Sequence, residues 1–358
     1  MPKISVIIKA FNEEENIARA IESSLAAVAP HGGEVIVADS GSNDRTVEIA
    51  LRFPVIIAQL KNPKERCCGI SPQLGYQHCT GEFVYILDGD MTLDAAFIAT
   101  AFKWFESDRR IAGVGGFVRE MRIANIDFQT RLKRQLRRLV KHGSYVDCLV
   151  GGGLYLRSAI EEVGYLSDRN LHSYEEFDLG VRLRAISWKL VRLEDHAADH
   201  YGYVTSTYNL LWHRIKTKYV LGSGELLRAA FAGGYVTAAL TRVPGLRPAI
   251  GVWIYWIAAL FVAALAPTIA SSLAVLALAT ILPVAVMAAR NEASLQVGVH
   301  SVVSWHVSAY GLLIGLVGGR KDPRGRIESH VTAGPSHPHQ RVQELGAAPR
   351  ADTLERHR

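Results

Sequence analysis

The chain reads as an α/β domain with a parallel sheet covered on both faces, followed by apolar helices of membrane-spanning length. Three observations predict this. Short, continuous apolar runs of strand length alternate with helical patterns in the N-terminal part. No charged residue occurs from Pro248 through Ala289. The composition is also mixed: 49% of the 358 residues are hydrophobic and 21% charged, with a mean hydropathy of +0.11. That is too charged for a wholly embedded protein and too apolar for a purely soluble one. It excludes a simple cytosolic globule, a disulfide-rich miniprotein and a disordered chain. One domain takes about 100–200 residues, so the length allows about two.

The elements follow in order. Ile4 to Ile8 is a strand. Asn12 is placed to cap a helix beginning near Glu13 to Asn16, with Ile17, Ile21 and Leu25 at helical spacing. Glu34 to Ala38 is a second strand, and Asp39 to Asp44 is a turn cluster rich in Ser, Gly and Asn. A helix with Val47, Ile49, Ala50 and Phe53 follows. Val55 to Ala58 is a third strand, a helix lies around Pro72 to Cys79, and Glu82 to Leu87 is a fourth strand. Continuous apolar strands separated by helices belong to a parallel sheet. Ligands bind beyond the carboxyl ends of such strands. Asp39 ends the second strand, and Asp88 and Asp90 end the fourth, so all three are expected to face one crevice.

Asp88-Gly89-Asp90 sets two carboxylates at a strand end with glycine between them for a sharp turn. Two close carboxylates repel unless a cation lies between them. Oxygen ligands favour Mg²⁺ or Mn²⁺, which commonly bridge to phosphate oxygens. Alone, an Asp-x-Asp is a solvated turn; at a buried strand end opposite Asp39 it is a site.

These residues resemble a known family. Ile4 to Glu14, Ala38 to Thr46 and Gly81 to Asp90 are similar to the N-terminal motifs of the inverting family 2 glycosyltransferases, which have the Rossmann-like, nucleotide-binding glycosyltransferase-A fold. Gln73-Leu74-Gly75 ahead of Thr80-Gly81 resembles another of its segments, although the family more often has Asn at Gln73. Val150 to Arg157, with Gly151-Gly152-Gly153, resembles its acceptor-side glycine segment, and Tyr174 to Leu183 its Glu-Asp-x-Asp-Leu helix. The resemblance covers about residues 3–205, with the motifs in the family's order. A following membrane hairpin is also common in that family.

The resemblance implies roles. Asp39 hydrogen-bonds the nucleobase of a UDP- or GDP-linked sugar, and Glu13 lines that pocket. Asp88 meets the ribose or the metal, and Asp90 holds Mg²⁺ or Mn²⁺ against the diphosphate. Gly152 lets donor or acceptor approach the backbone. His200, in Asp199-His200-Tyr201-Gly202, is a candidate metal or diphosphate ligand, with an ordinary histidine as the plain alternative. The general base falls at Glu176, where the family usually has Asp, and Glu175 and Asp178 compete for the role; Glu175 and Asp178, three residues apart, share a helix face. The plain alternative for these acids is a helix N-terminus complementing its dipole. Lys64 and Arg66 read as a solvated loop.

Charge and cysteine usage fit a membrane enzyme. The net charge is +6, and in a membrane protein a basic excess points to anionic headgroups rather than nucleic acid. Cys67, Cys68, Cys79 and Cys148 form no Cys-x-x-Cys pair and read as reduced thiols. The N-terminal apolar run is too short for a signal-peptide core. Two basic amphipathic stretches stand out. Arg131 to Lys141 is a solvated face or an acceptor-phosphate site. Trp212 to Leu221 mixes cations with aromatics and reads as interfacial. The apolar stretch divides near Pro267–Ser272 into two spans flanked by Arg242, Arg247 and Arg290. Val297 to Val317 is weaker and reads as an interfacial or re-entrant third segment.

The expected organisation is a cytosolic catalytic domain (1–205), interfacial helices (206–247), a transmembrane hairpin plus third hydrophobic segment (248–318) and a basic, disordered tail (319–358). The expected function is a membrane-anchored, metal-dependent inverting glycosyltransferase at the cytoplasmic face of the inner (plasma) membrane. It moves sugar from a nucleotide donor to a lipid-linked or polysaccharide acceptor, with no nucleic-acid partner. A polyprenyl-phosphate sugar synthase is the alternative enzyme, and a non-catalytic nucleotide-binding membrane scaffold the alternative of another class. A processive synthase would carry Gln-x-x-Arg-Trp, which Leu210 to Arg214 does not supply.

Overall fold

A computed structural model describes residues 3–122, 143–202, 205–243, 245–290 and 295–334. The basic stretch Arg131 to Lys141 lies outside the described residues. A ten-stranded sheet organises the first part of the chain. β1 (Ile4–Ala10), β2 (Glu34–Asp39), β3 (Ile56–Leu60) and β4 (Phe83–Asp88) pair in parallel in the order β3-β2-β1-β4. They are buried almost throughout, as strands covered on both faces must be. α1 (Ile17–Val28), α2 (Thr46–Ala50) and α3 (Ile70–Tyr76) connect them. The helix after β1 starts at Ile17 with Asn16 at its cap. Asn12 instead takes a left-handed conformation (φ 55°), and its side chain accepts from the Asn43 amide at 2.9 Å. It fastens the end of β1 to the Asp39–Asp44 turn rather than capping a helix.

The sheet is mixed beyond β4, not parallel throughout. β5 (Met91–Leu93), β6 (Ile111–Glu120), β7 (Ser144–Tyr145), β8 (Gly153–Leu156) and β9 (Lys189–His200) complete its far half. β8 runs antiparallel to both β4 and β6, and β9 parallel to β6. α4 (Ala95–Ser107), α5 (Arg157–Glu162) and α6 (Glu175–Ala185) pack on its faces.

Next come α7 (Thr207–Lys216), a 3₁₀ turn (Tyr219–Leu221), α8 (Gly222–Gly233) and α9 (Val236–Arg242). Three long apolar helices follow: α10 (Leu246–Ala264), α11 (Ile269–Arg290) and α12 (Leu295–Val317). Each is long and apolar enough to cross a membrane. The third segment is therefore one continuous helix and not a re-entrant break. Its polar groups do not interrupt it, because Ser301 and Ser308 return their hydroxyls to carbonyls four residues earlier.

The expected disordered tail is also corrected. The Arg320–Ala333 segment is ordered, and β10 (Ser329–Ala333) pairs antiparallel with β3 at the sheet edge. Ile327 is buried in the core below it. The Gln77 side chain accepts from the Ile327 amide at 2.7 Å and donates to its carbonyl at 3.1 Å. Residues 335–358 of the expected tail lie outside the described residues.

Candidate active site

The parallel strands deliver two acids to one end of the sheet. Asp39 closes β2 and Asp88 closes β4, with β1 between them. Lys9, in register with Asp88, sets its ammonium 2.5 Å from Asp88 Oδ1 and 3.9 Å from Glu175 Oε1. Burial opposes the Lys9 charge. The surrounding carboxylates of Asp88, Glu175 and Glu176 outweigh it and hold the amine protonated well above its usual range. Sequence reasoning passed over this lysine, although it is the one charged residue of β1 and was a usable signal.

Glu175 and Glu176 open α6. The residue before them, Tyr174, is left-handed (φ 69°), a conformation a bulky side chain keeps only when its surroundings enforce it. The enforcement is visible. His172 Nδ1 lies 2.8 Å from Glu225 of α8, and the His172 amide donates to the same carboxylate at 2.8 Å. Ser173 donates to the Tyr219 carbonyl, and Leu171 and Phe177 are buried with Leu226, Leu246 and Leu312. The acid-bearing turn is thus clamped by the elements that lead into the apolar helices.

Both acids line a narrow cleft with Lys9, Tyr155 and Ser167. Glu176 Oε1 accepts from the amides of Gly151 (2.9 Å) and Gly152 (3.2 Å). Gly152 has φ 88°, and a Cβ there would fall 2.2 Å from the Ile86 carbonyl oxygen, so only glycine brings these amides to the acid. Burial raises both carboxyls above their ordinary range, with Lys9 pulling the other way. Asp178 does not line this cleft. It is fully buried, accepting from Arg182 Nε at 2.8 Å and from the Tyr235 hydroxyl at 2.5 Å. It ties α6 to the segment before α9, so Glu175 and Asp178 face different surroundings despite their spacing.

Asp39 is fully buried. Its oxygens are taken by its own turn: the amides of Gly41 (3.0 Å) and Ser42 (3.2 Å) and the Ser42 hydroxyl (2.5 Å). Glu13 lies over the Asp88–Asp90 turn, its Cγ 2.9 Å from where a Gly89 Cβ would sit. Arg66 stacks on Phe11 at 3.7 Å and so is not merely solvated.

A second constellation gathers where β6 and β9 end and β5 begins. His200 Nε2 lies 3.1 Å from Asp90 Oδ2, and Nδ1 lies 2.5 Å from Glu120 Oε2. Burial alone would lower the His200 pKa. The hydrogen bonds to Asp90 and Glu120 overcome it and push the imidazole up to about 10. Among the described residues no group of three or more His, Cys, Asp or Glu side chains has the geometry to enclose a metal ion. The pair of Asp90 and His200, with Glu120 behind the histidine, nevertheless suits a divalent cation completed by phosphate oxygens. A carboxylate on the far ring nitrogen is how metal-bound histidines are oriented. Glu120 gave no sequence signal, because its register with His200 is set by the sheet.

Residues 5–164 match the family model described as Glycosyl transferase family 2. The chain is 32% identical over 94 residues to Glycosyltransferase AglE of Haloferax volcanii, covering 25% of this chain and 31% of that one. It is 39% identical over 97 residues to the undecaprenyl-phosphate 4-deoxy-4-formamido-L-arabinose transferase of Pectobacterium atrosepticum, covering 25% and 29%. The matched stretch therefore spans less than a third of either relative. Mannosyltransferase PcManGT from Pyrobaculum calidifontis, solved with GDP-Man and Mn²⁺, aligns over 87% of each chain with a TM-score of 0.54 and 18% identity, which is a likeness of fold. The sheet has a glycosyltransferase-A-like fold, and residues 5–164, which carry the motifs at its carboxyl edge, are similar to the family 2 glycosyltransferases.

Proposed function

We propose that the protein is a membrane-anchored, metal-dependent, inverting glycosyltransferase. It moves a sugar from a UDP- or GDP-linked donor to the hydroxyl of a lipid-linked or polysaccharide acceptor at the cytoplasmic face of the plasma membrane. The observation that carries this reading is the cleft lined by Lys9, Glu175 and Glu176 at the carboxyl edge of the sheet, with Asp88 paired to Lys9. Both amides that hold Glu176 go to Oε1, which leaves Oε2 to take a proton. The acceptor O–H gives that proton to Glu176 as its oxygen bonds to the anomeric carbon. The bond from that carbon to the diphosphate oxygen breaks on the opposite face, and the nucleoside diphosphate leaves with the electron pair. A carboxyl raised by burial is basic enough for this near neutral pH. Lys9 offsets part of the burial that raises the acids beside it. Asp90 and His200 would hold Mg²⁺ or Mn²⁺, which when bound neutralises charge on the departing diphosphate.

The name of the Pectobacterium relative supports a second reading, in which the acceptor is a polyprenyl phosphate. A phosphate nucleophile needs no strong base, so the two readings separate at Glu176. Thermal-shift screening of the detergent-purified protein with UDP-, GDP- and dTDP-sugars plus Mn²⁺ is expected to show one preferred donor. Glu176→Gln should keep that shift and lose transfer. Full transfer by Glu176→Gln favours the phosphate acceptor, and no shift with any donor sinks both readings.

A further inference from the structure

We infer that α12 does not cross the bilayer but lies flat in its interface on the catalytic-domain side, so that the chain crosses only twice, through α10 and α11. This rests on the membrane reading above and adds to it which helix stays in the plane and where the chain emerges.

Parity limits the number of crossings. α10 enters from the catalytic domain: Leu246 and Ala249 are buried with Leu171 and Phe177, next to the acids of α6. The chain leaves α12 into the same domain. Leu312 belongs to the same buried cluster. Beyond it Arg320 pairs with Asp168 at 2.8 Å, the Lys321 amide donates to Asn170 at 2.7 Å, and β10 joins β3. A strand cannot join a sheet across a bilayer, because its backbone groups would have to reach through hydrocarbon. Entry and exit are therefore on one side, and the number of crossings is even. Three helices of 19, 22 and 23 residues all have the length to span, so length alone does not identify the one that stays.

Contacts identify it. α12 runs beside the membrane-proximal elements over most of its length. The His300 ring meets Tyr208 of α7 edge-on at 5.5 Å. Gly311 and Gly315 lie so close to the 3₁₀ turn that a Cβ on either would fall about 2 Å from the carbonyls of Val220 and Leu221, respectively. Positions 300 to 315 cover roughly 22 Å at 1.5 Å per residue. A spanning helix would instead carry one end about 30 Å away, across the hydrocarbon core. Against the hairpin, α12 touches α10 at Trp253 and Trp256. It touches α11 near Val284 and Ala288. Trp253 and Trp256 flank the middle of α10, and Val284 and Ala288 lie in the last half of α11, which returns toward the catalytic domain in an antiparallel pair.

Composition agrees. α12 has the lowest hydropathy of the three, 1.3 against 1.7 and 2.3. It carries His300, Ser301, Ser304, His306 and Ser308, yet exposes Leu295, Tyr310, Leu313 and Val317. Beside it Trp212 and Tyr219 are exposed aromatics among Lys216 and Lys218. Apolar bodies with cations at their margin suit the headgroup boundary.

Single cysteines at Glu22, Ile269, Leu295 and Gly319, each in the full chain, test this with a membrane-impermeant maleimide on intact and permeabilised cells. The parent chain is the blank for the native cysteines. Ile269→Cys should label in intact cells, and Glu22→Cys, Leu295→Cys and Gly319→Cys only after permeabilisation. Labelling of Gly319→Cys in intact cells means three crossings and overturns the inference. Labelling of Leu295→Cys with Ile269→Cys protected places α10 in the plane and overturns it too. If every position is protected and the protein washes off membranes in carbonate, the membrane reading itself fails and takes this inference with it. A second measurement covers variants that do not accumulate: a fluorescent protein fused at Met1 and, separately, at Arg358 should behave alike. Opposite behaviour at the two ends overturns the inference.

Discussion

Glu176 Oε1 sits 2.9 Å from the Gly151 amide nitrogen, so the acid that opens α6 is aimed by the loop that opens β8. Glu176→Gln keeps an oxygen for those amides and removes only the proposed base. Turnover should fall about 10²–10⁴-fold, the usual contribution of a positioned base, with donor affinity unchanged by calorimetry. Gly152→Ala tests the aiming separately. Its Cβ has no room beside the Ile86 carbonyl and its φ is 88°, so a loss of about 1–3 kcal/mol is expected in chemical unfolding.

Lys9 is the counter-charge of the cleft. Lys9→Met leaves Asp88, Glu175 and Glu176 facing each other without a cation. Breaking a buried pair costs about 3–5 kcal/mol, so a large drop in Tm is expected. Glu175→Gln added to Lys9→Met should recover part of it, because one of the repelling charges is gone. A Tm equal to the parent in the single variant would mean that Lys9 does not hold these acids.

Asp178 and Glu176 should separate cleanly. Asp178→Asn leaves Arg182 without its buried partner, and a loss of about 3–5 kcal/mol follows from the same rule. The folded fraction should keep kcat within a few-fold. The reverse pattern, intact Tm with kcat abolished, would make Asp178 the base.

The post-helical strap should be measurable through Gln77. Gln77→Ala removes two hydrogen bonds to Ile327 and should cost about 1–3 kcal/mol locally, through the donor and acceptor left unpaired. Trypsin should then cut after Arg326 sooner than in the parent, followed by intact mass. Equal cleavage rates would show that Gln77 does not hold the strap.

Burial pushes the Cys67 thiol up to about 12, and Cys79 higher still. Their neutral forms favour the fold, so this contribution is complete below the ordinary thiol range near pH 9 and is lost as pH rises from there toward 12. At pH 8 both should resist iodoacetamide in the folded protein and react in urea, read by mass spectrometry. Rapid alkylation of either in the native state would contradict their burial.

The parallel half of the fold was legible because its strands are unbroken apolar runs ended by Asp39 and by Asp88-Gly89-Asp90. The mixed half was not, since β6, β8 and β9 are assembled by pairings between distant segments that periodicity does not record. The candidate site was read through its motifs, but a motif gives residue types without their neighbours. Asp178 and Glu175 sit at helical spacing, yet one meets Arg182 and Tyr235 and the other Lys9. Lys9 itself lay hidden inside a strand pattern, and Glu120 depended on register. β10 escaped notice because Ser329 to Ala333 alternates polar and apolar residues too briefly to stand out, and its partner β3 is remote in sequence.

That remoteness matters during synthesis. β3 leaves the ribosome before any of the three apolar helices, and β10 after all of them. Until then the open edge of the sheet offers unpaired backbone groups to any extended chain nearby. Closing that edge last makes β10 a completion signal. A product truncated before Ser329 would expose an adhesive edge, and a product whose helices are misinserted could not bring β10 to its place. Completion of the sheet thus waits until the three apolar helices have been made.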